Sequence, residues 1–392
     1  MSSLVSRRGE QRSLPDCPQA VGATSRVGAV ETGCHAIGSR TLPVETQVIA
    51  PNFKWRLSGV TSTIVQLVPQ MRKMGLAIAV LGPGLPESLP RLRFWESLRL
   101  LRRPAGQRFR IWHARRNTEM VGGLILRHVF RAPLKLVFTS ASQRQHKPFT
   151  KWLIRRMDAV VATSRKTAAY LDVPNTVIMH GIDTERFCPV SDQASAKRAL
   201  GLDPAMQIVG CIGRIRRQKG TDLFVDTMIR LLPNRPRWMA VIVGRTTAEH
   251  AAFETELRQR IAGAGLSDRI RFVGEHTAIQ RWYQVLSLLI APQRWEGFGL
   301  TPLEAMACGV PVVAADVGAF SELIVEGKTG TTIEPDDLES MIAASTRYLD
   351  DAALREASGQ AAVEHVRRNF PLQSEAENLM AVYRELMSKR AA

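Results

Sequence analysis

The chain is 392 residues long and 45% hydrophobic, which suits two domains with ordinary cores. Its five cysteines (Cys17, Cys34, Cys188, Cys211 and Cys308) are odd in number and scattered. None forms a Cys-x-x-Cys pair or has a His partner at ligand spacing, so a reduced compartment is expected and a structural metal is not. No apolar window reaches the roughly 18 residues of a membrane span, and no apolar stretch follows the arginines at the start, so a soluble or peripheral protein is expected.

The net charge of +17 is uneven. Residues 1–180 hold 28 Lys and Arg against 9 Asp and Glu, whereas residues 181–392 hold 25 against 27. The basic half is expected to face something anionic, for which nucleic acid, acidic lipid and a phosphorylated glycolipid are the candidates.

In chain order, residues 1–43 show neither a helical nor an alternating period and read as a disordered extension. A strand over Val44–Ala50, a polar loop ending at Ser58-Gly59, a helix over Val60–Gly75 and a strand over Leu76–Leu81 make a first β-loop-α-β unit. Further strands are predicted at Phe109–Trp112, Leu134–Thr139, Ala159–Thr163 and Thr176–Met179. The segment Arg91–Arg103 mixes Trp95, leucines at helical spacing and cations, which fits a membrane-interfacial helix or one packed on the sheet by its leucines. The pattern restarts after a seam near Asp183–Phe187. Strands are predicted at Gln207–Gly213, Met239–Gly244, Ile270–Gly274, Ser287–Ala291 and Val310–Ala314, and an amphipathic helix at Leu372–Ser388. Two similar α/β domains with parallel, doubly wound sheets follow from this repetition.

Two stretches carry chemistry. Between two apolar strands lies Arg294-Trp295-Glu296-Gly297-Phe298-Gly299-Leu300-Thr301-Pro302-Leu303-Glu304. Thr301 and Pro302 predict a helix start whose free N–H groups suit a phosphate, and Gly297 and Gly299 allow close backbone approach. Glu296 and Glu304 suit sugar and ribose hydroxyls better than a diphosphate, which would repel them. The second stretch, Gly213-Arg214-Ile215-Arg216-Arg217-Gln218-Lys219-Gly220, ends the first strand of the second domain. Arg214 and Lys219 there flank a sheet-edge loop, where ligands dock in such folds. Neither a P-loop nor a dinucleotide fingerprint occurs, which counts against kinase and dehydrogenase activity. No Asp-x-Asp pair occurs, so neither a metal nor a cofactor is expected.

Together the Gly-Arg…Lys-Gly loop, the Glu296-x7-Glu304 motif and the sequence His180-Gly181-Ile182-Asp183-Thr184-Glu185-Arg186-Phe187 resemble glycosyltransferase family 4. In this chain His180 stands where the family has Asn. The resemblance implies a GT-B fold, in which two Rossmann-like doubly wound domains face across a cleft. Residues 44–182 would bind the acceptor, 183–371 the nucleotide sugar, and the helix 372–392 is placed to cross back to the first domain. It also implies that Arg214 and Lys219 hold the donor diphosphate, Glu304 takes the ribose hydroxyls, and Glu296 with Gly297, Phe298, Gly299, Leu300 and Thr301 holds the transferred sugar. Gly59 would stand near the donor phosphate, Gly244 would close the next strand, and the loop of His276 would lie along the base. His113 fits the place of a histidine near the reacting sugar, with His146 in reserve, and Arg115 and Arg116 would bind an acidic acceptor.

The stretch Ile111–Met120 and the basic first half look like the lipopolysaccharide core mannosyltransferases of α-proteobacteria. That likeness implies a retaining enzyme taking mannose from GDP-mannose to an inner-core, lipid A-bearing acceptor at the inner face of the cytoplasmic membrane. A UDP-sugar enzyme acting on another glycolipid is the alternative. A non-enzymatic nucleic-acid binder is more remote, because the cations are not interleaved with stacking aromatics.

Overall fold

In the computed structural model, residues 45–55 and 59–388 are described. The expected extension over residues 1–43 and Ser58 lie outside them.

Seven parallel strands form the first sheet: β1 Val48–Pro51, β2 Ile78–Leu81, β3 Arg91–Leu92, β4 Arg110–Ala114, β5 Leu134–Ser140, β6 Ala159–Ala162 and β7 Thr176–Val177. Their order is β3-β2-β1-β4-β5-β6-β7. Six more form the second: β8 Gln207–Ile212, β9 Trp238–Val243, β10 Ile270–Gly274, β11 Leu288–Ala291, β12 Val312–Ala315 and β13 Gly330–Ile333, in the order β10-β9-β8-β11-β12-β13. Both sheets reverse strand order beside their first strand, as in Rossmann-like domains, and this opens a crevice at the carboxyl ends of the strands.

These strands are apolar runs because helices cover both faces. Along β1, Val48 and Ala50 enter one core and Ile49 the opposite one; along β8, Ile208 and Ile212 are separated from Val209 and Cys211 in the same way. The 3-10 helix Phe94–Leu101 and the helices Asn117–His128 and Pro148–Ile154 supply buried residues to one face of the first sheet. The other face packs against helix Gly59–Lys73 and the C-terminal helix Leu372–Ser388. That last helix contributes Leu372, Ala376, Leu379, Tyr383 and Leu386, a helical stripe, to the first domain's core. The chain crosses between domains at two adjoining points: Ile182 pairs with Pro371, Ile182 N–H donates to Phe370 O at 2.8 Å, and Leu372 N–H donates to Ile182 O at 3.0 Å.

Three local differences from the sequence reading bear on the site. Strands β3 and β13 were not foreseen, being a two-residue strand and a polar Gly-Thr-Thr-Ile. β4 spans Arg110–Ala114 rather than Phe109–Trp112, so His113 lies inside the strand instead of after it. The strand runs on because His113 and Ala114 pair with Val137 and Phe138 of β5. Arg110 enters the sheet because its Nε donates to Thr46 O at 2.9 Å and its Nη1 to Leu100 O at 3.1 Å.

Candidate active site

At the carboxyl edge of the second sheet, β8 and β9 run out into Gly213 and Gly244 and β10 ends in Gly274, all with positive φ. A Cβ on Gly244 would sit 1.8 Å from Gly213 O, so this close approach of two strand ends admits only glycine. From there the basic loop leaves the sheet and closes at Gly220, where φ is 68° and a Cβ would lie 1.8 Å from Pro292 O. The first motif is thereby pressed against the start of the second. Arg294 N–H donates to Gln218 O at 3.1 Å, and the Arg294 guanidinium reaches both carboxylate oxygens of Asp222.

This joint brings together residues 77 apart in sequence: Lys219 Nζ bonds Glu296 Oε2, and Gly297 N–H donates to Glu296 Oε1 at 3.0 Å. Arg214 lies partly buried on the same loop. Glu304 accepts a hydrogen bond of 2.6 Å from the Tyr283 hydroxyl. Burial raises the Glu304 pKa above the ordinary carboxylate value, opposed by the Tyr283 hydroxyl and the nearby Arg186 charge. The Tyr283 phenol is pushed well up by its own burial and by the Glu304 carboxylate.

Thr301 is not the helix cap that the sequence predicts. Leu300 already has helical torsions (φ −82°, ψ −19°), so the turn begins one residue earlier and Thr301 heads helix Thr301–Ala307. The Thr301 hydroxyl is buried without a partner, as is Gln293 Oε1 on the same loop. Buried polar atoms without protein partners, next to two carboxylates and two cations, are what a polar ligand would satisfy. Behind the loop, Phe320 lies so close to Gly299 that a Cβ there would meet its ring at 2.2 Å, and Ala319 N–H donates to Phe298 O at 3.0 Å. His276 is exposed on the loop after β10, with Nε2 2.8 Å from Val273 O and its ring against Trp282.

The first domain faces this loop directly. A Cβ on Gly297 would stand 2.5 Å from Ala141 O, Arg144 lies 5.8 Å from the Trp295 ring centre, and His180 meets Phe298 edge-on at 4.8 Å. Gly59, exposed, begins its helix with open space around it.

His113 is buried, its Nδ1 2.5 Å from the Tyr383 hydroxyl and its Nε2 2.6 Å from Thr139 Oγ1. Burial, helped by the charge of Arg115, holds its pKa well below the usual imidazole value, so the ring is neutral. Arg115 and Arg116 part company. Arg116 Nη1 binds the buried Glu119 at 2.7 Å and Asn52 at 2.8 Å, which makes it a strut of the loop. Arg115 donates from its backbone to Glu119 and from Nη1 to His113 O. His146 lies in a small pocket with Lys151, Arg155 and Asp172, its Nε2 3.4 Å from Ser140 Oγ.

Comparison with known proteins decides what this cleft belongs to. Residues 206–351, which hold both motifs, match the model of the family described as glycosyl transferases group 1. The lipopolysaccharide core biosynthesis mannosyltransferase LpsB of Rhizobium meliloti (strain 1021) is 60% identical over 345 residues, 88% of this chain and 98% of that protein. The chain belongs to the glycosyl transferases group 1 family. A second relative, the lipopolysaccharide core biosynthesis mannosyltransferase LpcC of Rhizobium leguminosarum bv. viciae, is 55% identical over 343 residues, 88% of this chain and 97% of the other. The crystal structure of Anabaena Alr3699/HepE in complex with UDP shares the fold with a TM-score of 0.74, at 18% identity over 87% of this glycosyltransferase and 100% of that chain.

Sequence reading of this glycosyltransferase missed three residues that shape the site. Tyr283 reads as core, yet its hydroxyl holds Glu304. Gln293 precedes the motif and carries no signal of its own. Glu375 lies in the C-terminal helix, where it accepts from Gly181 N–H at 2.8 Å and stands 2.7 Å from His180 Nδ1.

Proposed function

We propose that this glycosyltransferase moves mannose from GDP-mannose, with retention of anomeric configuration and without a metal, to an inner-core acceptor on lipid A. The joining of the basic loop to the Glu296–Glu304 motif, in a chain 60% identical to a lipopolysaccharide core mannosyltransferase, carries this reading. Arg214 and Lys219 bind the donor diphosphate, so Lys219 exchanges its Glu296 partner for phosphate oxygens when the donor arrives. Glu304 accepts from the ribose hydroxyls. Glu296 and the backbone from Gly297 to Thr301 hold the mannose, with Gly244 and Gly59 leaving room for the donor.

As the bond between the anomeric carbon and the diphosphate breaks, the developing charge falls on oxygens beside two fixed cations, a large stabilising term in a dry cleft. The acceptor hydroxyl attacks from the same face and gives its proton to the departing phosphate, so no strong protein base is required. A neutral His113, bonded at both nitrogens, fits an orienting role better than proton transfer. Arg115 reads a negative charge on the acceptor.

Working at the inner face of the cytoplasmic membrane as a peripheral enzyme fits the first domain. No helix among the described residues is long and apolar enough to cross a membrane. Trp95 is 64% exposed beside the Arg93 guanidinium, and Trp152 is 46% exposed under Arg156. Such aromatic and cationic pairs suit an anionic interface.

The test is thermal shift and turnover with GDP-mannose, UDP-glucose, UDP-galactose and UDP-N-acetylglucosamine, each with EDTA, followed by transfer to Kdo-containing lipid A. Stabilisation and turnover with GDP-mannose alone is expected. A preference for a uridine donor would overturn the donor, and loss of turnover in EDTA would overturn metal independence.

A further inference from the structure

Besides the crossings at Ile182 and Pro371, a second tie joins the two domains, and neither sequence motif includes it. After β6, the backbone N–H groups of Arg165 and Lys166 each donate at 2.9 Å to one carboxylate oxygen of Glu322, some 156 residues away. The Lys166 ammonium adds a 2.6 Å bridge to Asp316. Both acids flank the segment that backs the donor loop. Asp316 follows β12, Ala319 N–H holds Phe298 O, Phe320 fills the space beside Gly299, and a Cβ on Gly318 would lie 3.0 Å from Glu296 Cβ. The same loop touches Ala141 on its other side. The sugar-holding loop therefore meets the first domain directly at Ala141 and His180 and indirectly through the segment that the tie holds.

We propose that Lys166 is a positioning residue for sugar transfer. With the paired amides of Arg165 and Lys166 on Glu322, it seats the segment Asp316–Leu323, and through it the loop Glu296–Leu300, against the acceptor-binding domain. An exposed ion pair alone does little, and Lys166 and Asp316 are each more than a third exposed. Directional strength comes from Glu322, whose two oxygens each take one amide. Those amides open the short helix Arg165–Ala168, where no earlier turn supplies an acceptor, so Glu322 is what satisfies them. Phe320 and Gly318 belong to the same domain as the donor loop and stay in place when the tie is open. The donor then still binds, but its reacting carbon is not held in register with the acceptor. Loss of the tie should accordingly lower kcat and leave the donor KM nearly unchanged.

The inference rests on the donor-site reading above, and two measurements separate the two. Lys166→Glu sets a further carboxylate against Asp316, beside that of Glu322, and the repulsion drives the tie open; with whichever donor the wild-type protein turns over, it should lower kcat about tenfold and change donor KM less than about twofold. Adding Asp316→Lys should recover most of the loss, because the bridge is rebuilt with its charges exchanged. Unchanged kcat in Lys166→Glu, or a double variant no better than the single one, would overturn the proposal. Hydrogen exchange at the Arg165 and Lys166 amides needs no donor, so it decides the point even if no sugar nucleotide is turned over. Glu322→Ala should speed exchange there about tenfold or more, whereas equal rates in the wild-type protein and the variant would show that the tie is not made in solution.

Discussion

The two walls of the cleft are built on opposite plans. On the proposed donor side, in the second domain, charged residues stand on short glycine-hinged loops at a sheet edge, and the buried polar side chains among the described residues are mostly Thr and Ser, with Lys197 and Asp222 the charged ones. On the proposed acceptor side the charged and titratable groups run down into the fold: Arg110, His113 and Glu119 are all buried within or beside one strand. Of the ten large apolar side chains exposed among the described residues, nine lie in the first domain and only Trp295 in the second. A compact polar ligand, bound in much the same way whatever is made from it, suits loops that can be specified by a few residues. An acceptor of varied shape and a surface in contact with lipid suit a wall whose form is set by interior struts. Substitution on the proposed donor side should therefore remove activity while the fold survives, whereas substitution of a buried strut on the proposed acceptor side should cost chiefly stability.

The largest effect tests the donor half of that contrast. Lys219→Ala and Glu304→Ala should each lower transfer by about a thousandfold, the scale of removing a group that stabilises transition-state charge or orients the donor. Thermal unfolding of Lys219→Ala should stay close to wild type, since Lys219 and its partner Glu296 both reach solvent, whereas Glu304→Ala also strands the buried Tyr283 hydroxyl and should cost about 1–3 kcal/mol with the fold still formed. Normal turnover in either variant would remove the donor assignment. Glu119→Ala tests the other half. It strands the Arg116 guanidinium, only 12% exposed, beside Asn52, and it removes the acceptor of the Arg115 amide. Breaking such a buried pair costs about 3–5 kcal/mol, so denaturant titration should show a large loss of stability. A fully stable Glu119→Ala protein would mean that the acceptor wall is not held by its interior. A smaller effect is expected for Arg115→Ala, which should raise acceptor KM about tenfold while leaving donor KM alone.

What was legible in the sequence follows the same division. Glycines, paired cations and a Glu-x7-Glu spacing are local signals, because each is a demand of one loop for close approach or for charge. They led to the joined loops at Lys219 and Glu296. Strand β4 was ended too early, at Trp112, because His113 reads as a strand-end residue beside a basic turn; only the pairing of His113 and Ala114 with Val137 and Phe138 of β5 shows that the strand runs on. Thr301 looks like a cap, yet the preceding Leu300 takes helical torsions and displaces it by one position. The tie of Lys166 to Asp316 was invisible for another reason. Two exposed charges 150 residues apart look like any other surface charges until the fold sets them face to face.

Tyr283 sharpens the contrast most finely, because it is a buried strut on the donor side. Its hydroxyl donates to the Glu304 carboxylate at 2.6 Å, against burial that raises the Glu304 pKa. The other groups facing that carboxylate are Arg186, which lowers its pKa, and the thiol of Cys308, which is pushed up by its own burial and then by the Glu304 charge. Tyr283→Phe keeps the ring against Phe187 and removes only the hydroxyl, leaving burial opposed by Arg186 alone. The Glu304 pKa should rise further. If the ionised carboxylate is what takes the ribose hydroxyls, the acid limb of the donor kcat/KM profile should move to higher pH, and activity should recover toward wild type as pH rises above it. The stability effect has a matching sign. A carboxyl whose folded pKa lies above its unfolded value favours the fold while protonated, and that contribution is lost as pH rises through the folded pKa. Tyr283→Phe should therefore be closest to wild type in stability at acid pH and fall behind it toward neutrality. The hydroxyl of a hydrogen bond to a charged group contributes about 1.5–3 kcal/mol, so calorimetry at two pH values should resolve the difference. An acid limb that stays in place would mean that Glu304 is not the group that must be ionised. The donor wall would then depend on Glu296 and the two cations instead.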